Sequence, residues 1–156
     1  MSATTKPAQG LLERTRRQAH PLCVVCGRAH ECGLGLRFSL QEDGSVRARF
    51  VCSKSHEGFR DILHGGVISS LLDGAMTNCL FAHGIAAVTA ELVVRFRHPI
   101  ATGSPLTVVG RTSGSSPPLY VLDAEIIQDD TLMAVGKGKF MELKPSGTVT
   151  WPDFTR

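Results

Sequence analysis

Two short features of this 156-residue chain carry chemical information. The first is His64-Gly65-Gly66, directly ahead of a long apolar segment. Glycines at the start of a helix leave backbone N–H groups unshielded, and the positive end of the helix dipole adds to them. Such a turn can bind an anion or hold the oxyanion of acyl transfer. For two adjacent glycines taken alone, a tight loop that needs glycine for its backbone angles is the better explanation. The second feature is Asp73, in the middle of the most apolar helical stretch of the chain. Aspartate is a poor residue for a helix interior, and burying its charge is costly. Ser69 and Thr77 lie with it on one stripe. A solvated face, or an ion pair with an arginine on a sheet, is the alternative. A helix with so little room for a solvent face favours a carboxylate turned into a cleft.

Geometry adds a statement about assembly. Gly66 and Asp73 are seven residues apart on one helix, roughly 10 Å at a rise of ~1.5 Å per residue. A base and an oxyanion donor serving one carbonyl must each come within about 3 Å of the reacting atoms. If both act, Asp73 of one subunit is expected to meet Gly65-Gly66 of another, and a two-fold dimer supplies that pairing twice.

A third cluster, Cys23, Cys26, His30 and Cys32, contains enough ligands for zinc. Tetrahedral sites usually draw their second pair from further along the chain, so this spacing is cramped. The expectation is a folded-over loop with reduced thiols and no metal. Cys52 and Cys79 read as small apolar fillers. Five cysteines are an odd count, and residues 1–20 carry Lys6, Arg14, Arg16 and Arg17 without a continuous apolar run. A reducing cytoplasm is the simplest expectation. A mitochondrial transit peptide is the lesser alternative for so basic a start.

The positioning elements follow from periodicity. A short helix is expected over about 9–19, stopped by Pro21, then a Cys- and Gly-rich loop over 23–35. Residues 36–40 and 46–50 alternate apolar and polar around Asp43-Gly44, which predicts a hairpin. Val67, Ile68, Leu71, Leu72, Ala75, Met76, Cys79 and Leu80 recur at helical spacing and predict a largely buried helix over 66–83, ended by Gly84. Strands are expected over 86–97, 105–112, 119–128 and 132–143, the last two joined by Asp129-Asp130, as a four-stranded meander. Residues 145–156 read as a tail docked through Trp151 and Phe154. One helix covering the apolar face of an antiparallel sheet is an α+β two-layer domain.

His64-Gly65-Gly66-Val67-Ile68 followed by Asp73-Gly74-Ala75-Met76 resembles the signature of hotdog-fold thioesterases. The branch it looks like is that of the phenylacetate-degradation acyl-CoA thioesterases. Residues 88–96, 98–103 and 134–140 fit the same pattern, so the likeness runs from about Gly33 to Leu143. It implies a hotdog fold, one long central helix on a curved antiparallel sheet. It divides the chain into an N-terminal segment (1–34), the hotdog domain (35–144) and a C-terminal tail (145–156). It implies an acyl-CoA thioesterase that needs no cofactor and works as a homodimer or a dimer of dimers. Residue by residue, Asp73 becomes the general base or the nucleophile. Gly65 or Gly66 N–H polarises the thioester carbonyl, His64 shapes the loop, and Thr89 orients the water or the carboxylate. One departure stands out. Relatives that carry an asparagine a few residues before the histidine use it to position water, and here the stretch reads Glu57-Gly58-Phe59-Arg60-Asp61.

Arg95, Arg97, His98, Arg111, Lys137 and Lys139 are the candidates for CoA phosphate contacts, although alternating basic residues on strands are usually a solvated face. The net charge of +3, from 17 basic and 14 acidic side chains, is too mild to indicate nucleic acid. No stretch approaches the ~18 apolar residues of a membrane span. Three rivals stay open. A non-catalytic acyl-CoA-binding hotdog module is favoured by the missing amide and opposed by Asp73. A hotdog hydratase or dehydratase is disfavoured by Gly-Gly followed by a mid-helix aspartate. A zinc protein built around residues 23–32 is the weakest.

Overall fold

A computed structural model of the chain describes residues 6–144. The expected tail, with Trp151 and Phe154, lies outside the described residues.

The chain opens with helix α1 (Gln9–Ala19), followed by a turn-rich segment without regular structure over residues 20–38. A hairpin follows, strands β1 (Ser39–Leu40) and β2 (Val46–Val51), with Gly44 at φ +80° in its turn. A single 3-10 turn at Lys54–His56 leads toward the long helix α2 (Gly65–Ala82). Strands β3 (Ala87–Phe96), β4 (Pro105–Ser116), β5 (Leu119–Gln128) and β6 (Thr131–Glu142) complete the fold. All pairs are antiparallel, in the order β1-β2-β4-β5-β6-β3. This is the hotdog arrangement, a curved sheet wrapped on one long helix.

Helix α2 is apolar on nearly all sides because it is covered on nearly all sides. Leu71, Leu72, Met76, Leu80 and Phe81 are fully buried, and the inward residues Leu122, Ile126, Ala134 and Phe140 of the sheet share their core. Close approach is local and specific. A Cβ on Gly110 of β4 would lie 2.6 Å from the Ala75 carbonyl oxygen, so only glycine lets the helix backbone sit there. The opposite flank is closed by the N-terminal segment, with Leu12, Val25 and Cys26 in the same buried cluster.

Three strand expectations change. The first arm of the hairpin is a two-residue strand. Leu36 and Phe38 are buried but lie outside the ladder, their backbone being turned toward the N-terminal loop, as Leu36 N–H donating to the Val25 carbonyl shows. β4 runs on to Ser116 because Gly114, Ser115 and Ser116 find partners in Val121, Tyr120 and Leu119 past a register shift. The four late strands are not one meander. β4, β5 and β6 follow one another, but β3 pairs with β6 at the far edge, and residues 97–104 carry the chain from one side of the sheet to the other. Alternation identifies a strand and its inward face, but not its neighbour. The two-residue turn at Asp129-Asp130 is as expected, both residues at positive φ, 49° and 58°, as a type I′ hairpin turn requires.

Candidate active site

Asp73 faces β3 from the middle of α2. Its Oδ1 accepts a hydrogen bond of 2.6 Å from the Thr89 hydroxyl. Thr89 stands at the register shift of β3, where Ala90 has no partner on β6. A bulge of this kind re-aims side chains and is frequent beside active sites. The surroundings of Asp73 oppose its charge. Burial raises its pKa above the ordinary aspartate value, the Thr89 bond pulls it back, a charge on Cys23 pushes it up further, and His20 lowers it. The result is a carboxylate more basic than one in water, with one oxygen oriented by a hydroxyl. That suits a proton acceptor.

At the N-terminal end of α2, His64 is the N-cap. Its Nδ1 accepts a 2.8 Å hydrogen bond from the Gly66 N–H, and its carbonyl accepts from Val67 and Ile68. An accepting Nδ1 places the imidazole proton on Nε2. The two glycines therefore separate in role. Gly66 N–H is held by His64, whereas Gly65 N–H makes no hydrogen bond among the described residues. Gly65 borders an open, mainly apolar groove of about 400 Å³ with Phe59, Ile62, Ile68, Phe96 and Ile100 in its walls. Its missing side chain would lie 3.5 Å from the Phe96 ring.

The basic candidates divide between places. Arg97 and His98 line the same groove as Gly65. Arg95 and Lys137 line a different groove on the outer sheet face, with Arg111, Asp123 and Glu125. Lys139 is paired to Glu91 at 2.9 Å, and Arg111 to Glu125 at 2.9 Å. The chain thus gathers Asp73 with Thr89, and Gly65 with Arg97 and His98. The two groups hang from positions eight residues apart on α2, roughly 12 Å along its axis at ~1.5 Å per residue.

The cysteine loop assembles differently from the expected set. Cys32 is exposed, and His30 is not among the converging donors. His20 is, together with Cys23 and Cys26. Sequence reasoning passed over His20, although the run His20-x-x-Cys23-x-x-Cys26 is a readable signal. It also passed over Asn78, a fully buried amide whose Nδ2 donates to the Gly74 carbonyl and to Cys26 Sγ.

Comparisons with known proteins agree with the fold. Residues 61–134, from the groove loop to β6, match the thioesterase superfamily. The acyl-coenzyme A thioesterase THEM4 of Bos taurus is 25% identical over 129 residues, 79% of this chain and 53% of that protein. The chain therefore spans about half the length of that curated relative. The PaaI protein from the E. coli phenylacetic acid degradation operon superposes with a TM-score of 0.70 at 21% identity, covering 83% of this chain and 94% of that one. The smu.793 protein of Streptococcus mutans UA159, solved bound to acetyl CoA, superposes with a TM-score of 0.64 at 18% identity, covering 69% and 87%. At such identities the structural likeness establishes a common fold.

Proposed function

Starting from a chain whose residues 61–134 match the thioesterase superfamily, and whose fold is the hotdog shared with the PaaI protein, we propose that it hydrolyses acyl-CoA thioesters. The observation that carries this reading is the Thr89–Asp73 hydrogen bond: a carboxylate made more basic by burial and oriented at a strand bulge. The CoA and acyl-CoA chemistry is supported by the names of THEM4 and of the acetyl-CoA complex.

In the proposed reaction Asp73 takes a proton from water. The water oxygen bonds the thioester carbonyl carbon, and Gly65 N–H stabilises the oxyanion. The C–S bond then breaks and the sulfur receives the proton from Asp73, releasing free CoA and a carboxylic acid. Arg97 and His98, in the groove beside Gly65, are suited to the CoA phosphates; Arg95, Lys137 and Lys139 lie on the outer face and fit that role less well. No cofactor enters these steps.

The separation along α2 calls for two copies of the chain. β3 is an edge strand ten residues long, with Val93 and Phe96 more than half exposed. Among the described residues the outer side of β3 is unpaired, and an edge of that length invites pairing. Pairing β3 with its own copy would bring two α2 helices side by side and allow Asp73 of one to face Gly65 of the other. A dimer of dimers and a cytoplasmic location belong to the same reading.

The test is a hydrolysis screen over short, long and aromatic acyl-CoAs with thiol release as the readout, on wild type and Asp73→Asn. Turnover that falls about 100-fold or more in Asp73→Asn supports the assignment. Acyl-CoA binding without turnover in wild type would make the chain a binding module instead. Near-normal turnover by Asp73→Asn would remove Asp73 from the chemistry.

A further inference from the structure

Beyond the Asp73 site, the N-terminal loop brings three soft-metal donors to one point. Helix α1 ends at Ala19, the His20 N–H donating back to the Arg16 carbonyl, and Pro21 cannot extend the helix. The chain then curls. Cys23 N–H donates to the His20 carbonyl at 3.4 Å, and Gly27 N–H to the Cys23 carbonyl at 2.8 Å. The curl needs glycine at 27, where a Cβ would stand 2.4 Å from the Cys23 nitrogen. It leaves a ring nitrogen of His20, Cys23 Sγ and Cys26 Sγ all within 4.8 Å of one another, with His20 Nδ1 4.0 Å from Cys26 Sγ. Donors around a tetrahedral zinc ion stand roughly 3.5–3.8 Å apart, given Zn–S of about 2.3 Å and Zn–N of about 2.0 Å. A contraction of about 1 Å or less closes the set.

The surroundings are those of ligands. Each sulfur receives an N–H donor, Cys23 from the Val25 backbone at 3.4 Å and Cys26 from Asn78 Nδ2 at 3.5 Å. Such donors stabilise thiolate charge and orient metal-bound sulfur. The His20 ring is fixed edge-to-face against Phe81, centroids 4.9 Å apart. The Cys26 carbonyl is anchored by the buried Arg16 guanidinium at 3.1 Å. A small groove of about 140 Å³ bordered by His20, Cys26 and Arg17 gives room for a fourth, exchangeable ligand. The cramped spacing that argued against metal concerned Cys23, Cys26, His30 and Cys32, a set the fold does not assemble.

We propose that His20, Cys23 and Cys26 bind one thiophilic divalent cation, zinc, with a solvent molecule completing the tetrahedron. Bound there, the ion ties the loop to α2, because Val25 between the two cysteines packs against Gly74 and Asn78 reaches Cys26.

The experiment uses the full chain, reduced and stripped with a chelator, then titrated with Co²⁺ and Zn²⁺. The expected result is about one ion per chain, visible ligand-field bands with a thiolate-to-cobalt charge-transfer band, displacement by Zn²⁺, and a raised melting temperature with zinc. Cys23→Ser, Cys26→Ser and His20→Ala should each weaken binding tenfold or more, and Cys32→Ser should leave it unchanged. Cys23 is only partly buried, so Cys23→Ser keeps the test alive if Cys26→Ser does not fold. Three results would overturn the proposal: no binding by the reduced chain, cobalt bands lacking thiolate character or surviving Cys23→Ser, or a Cys23–Cys26 disulfide that forms in preference to the zinc complex.

Discussion

Replacing Thr89 by valine removes one hydroxyl and little else, and its consequence follows from one bond. The Thr89 hydroxyl donates to Asp73 Oδ1 at 2.6 Å, the only side chain hydrogen-bonded to that carboxylate among the described residues. A hydrogen bond to a charged group contributes about 1.5–3 kcal/mol. It favours the ionised form, so its loss raises the pKa of Asp73 further, in the direction in which burial already pushes it. On the acid limb of the pH–rate profile the rate tracks the ionised fraction of the base. At ~1.4 kcal/mol per factor of ten, Thr89→Val should lower kcat/KM there roughly 10- to 100-fold. At higher pH Asp73 is ionised in both proteins, and the gap should narrow to the loss of orientation alone. The limb itself should move to higher pH, and Thr89→Ser should restore its position. Stopped-time thiol release on the best acyl-CoA, across the pH range in which the fold survives, gives the profile. An acid limb that does not move, with the same loss at every pH, would mean that Thr89 packs against Asp73 without tuning its charge.

The same carboxylate should be a burden on stability. Because burial holds the folded pKa of Asp73 above its unfolded value, the unfolded chain gives up its proton first as pH rises. Ionisation therefore costs folding free energy from the ordinary aspartate range, about pH 3.9, upward. Asp73→Asn should melt at or above wild type near neutral pH, with the advantage disappearing below that range; scanning fluorimetry showing a lower melting temperature near neutrality would contradict it. Assembly is tested by subunit mixing. Gly65→Pro deletes the unpaired N–H at the first helical position, where proline is tolerated, and His64 already has the extended backbone that proline demands of its predecessor, φ −63° and ψ 134°. Mixed with Asp73→Ala, each chain inactive alone, it should recover roughly a quarter of wild-type activity, since about half the dimers are mixed and each has one intact site. No recovery despite proven exchange would place both groups in one chain's site or remove one from catalysis.

The residue order alone determined the kind and order of the elements, though not every strand's bounds, and the chemistry-bearing positions within them. Periodicity bounded α2 to within one residue at each end, because a helix records its buried sides locally at i, i+3 and i+4. Asp73 stood out in that helix as a charge that propensity disfavours, and the resemblance supplied Thr89 as its companion. Only the tertiary structure decided what those residues meet. That Thr89 donates to Asp73 across sixteen positions depends on where β3 crosses α2 and on the bulge that turns it. That β3 lies at the sheet edge beside β6, and not next to β4, depends on the 97–104 crossover, which no alternation pattern records. The division of the two glycines, Gly66 bonded to His64 and Gly65 open to the groove, is a matter of one imidazole's orientation. His20 joined the cysteines for the same reason. Its spacing was visible, but the curl that folds it onto Cys26 is closed by Gly27 and by packing on Phe81 and Asn78, contacts made by residues distant in the chain.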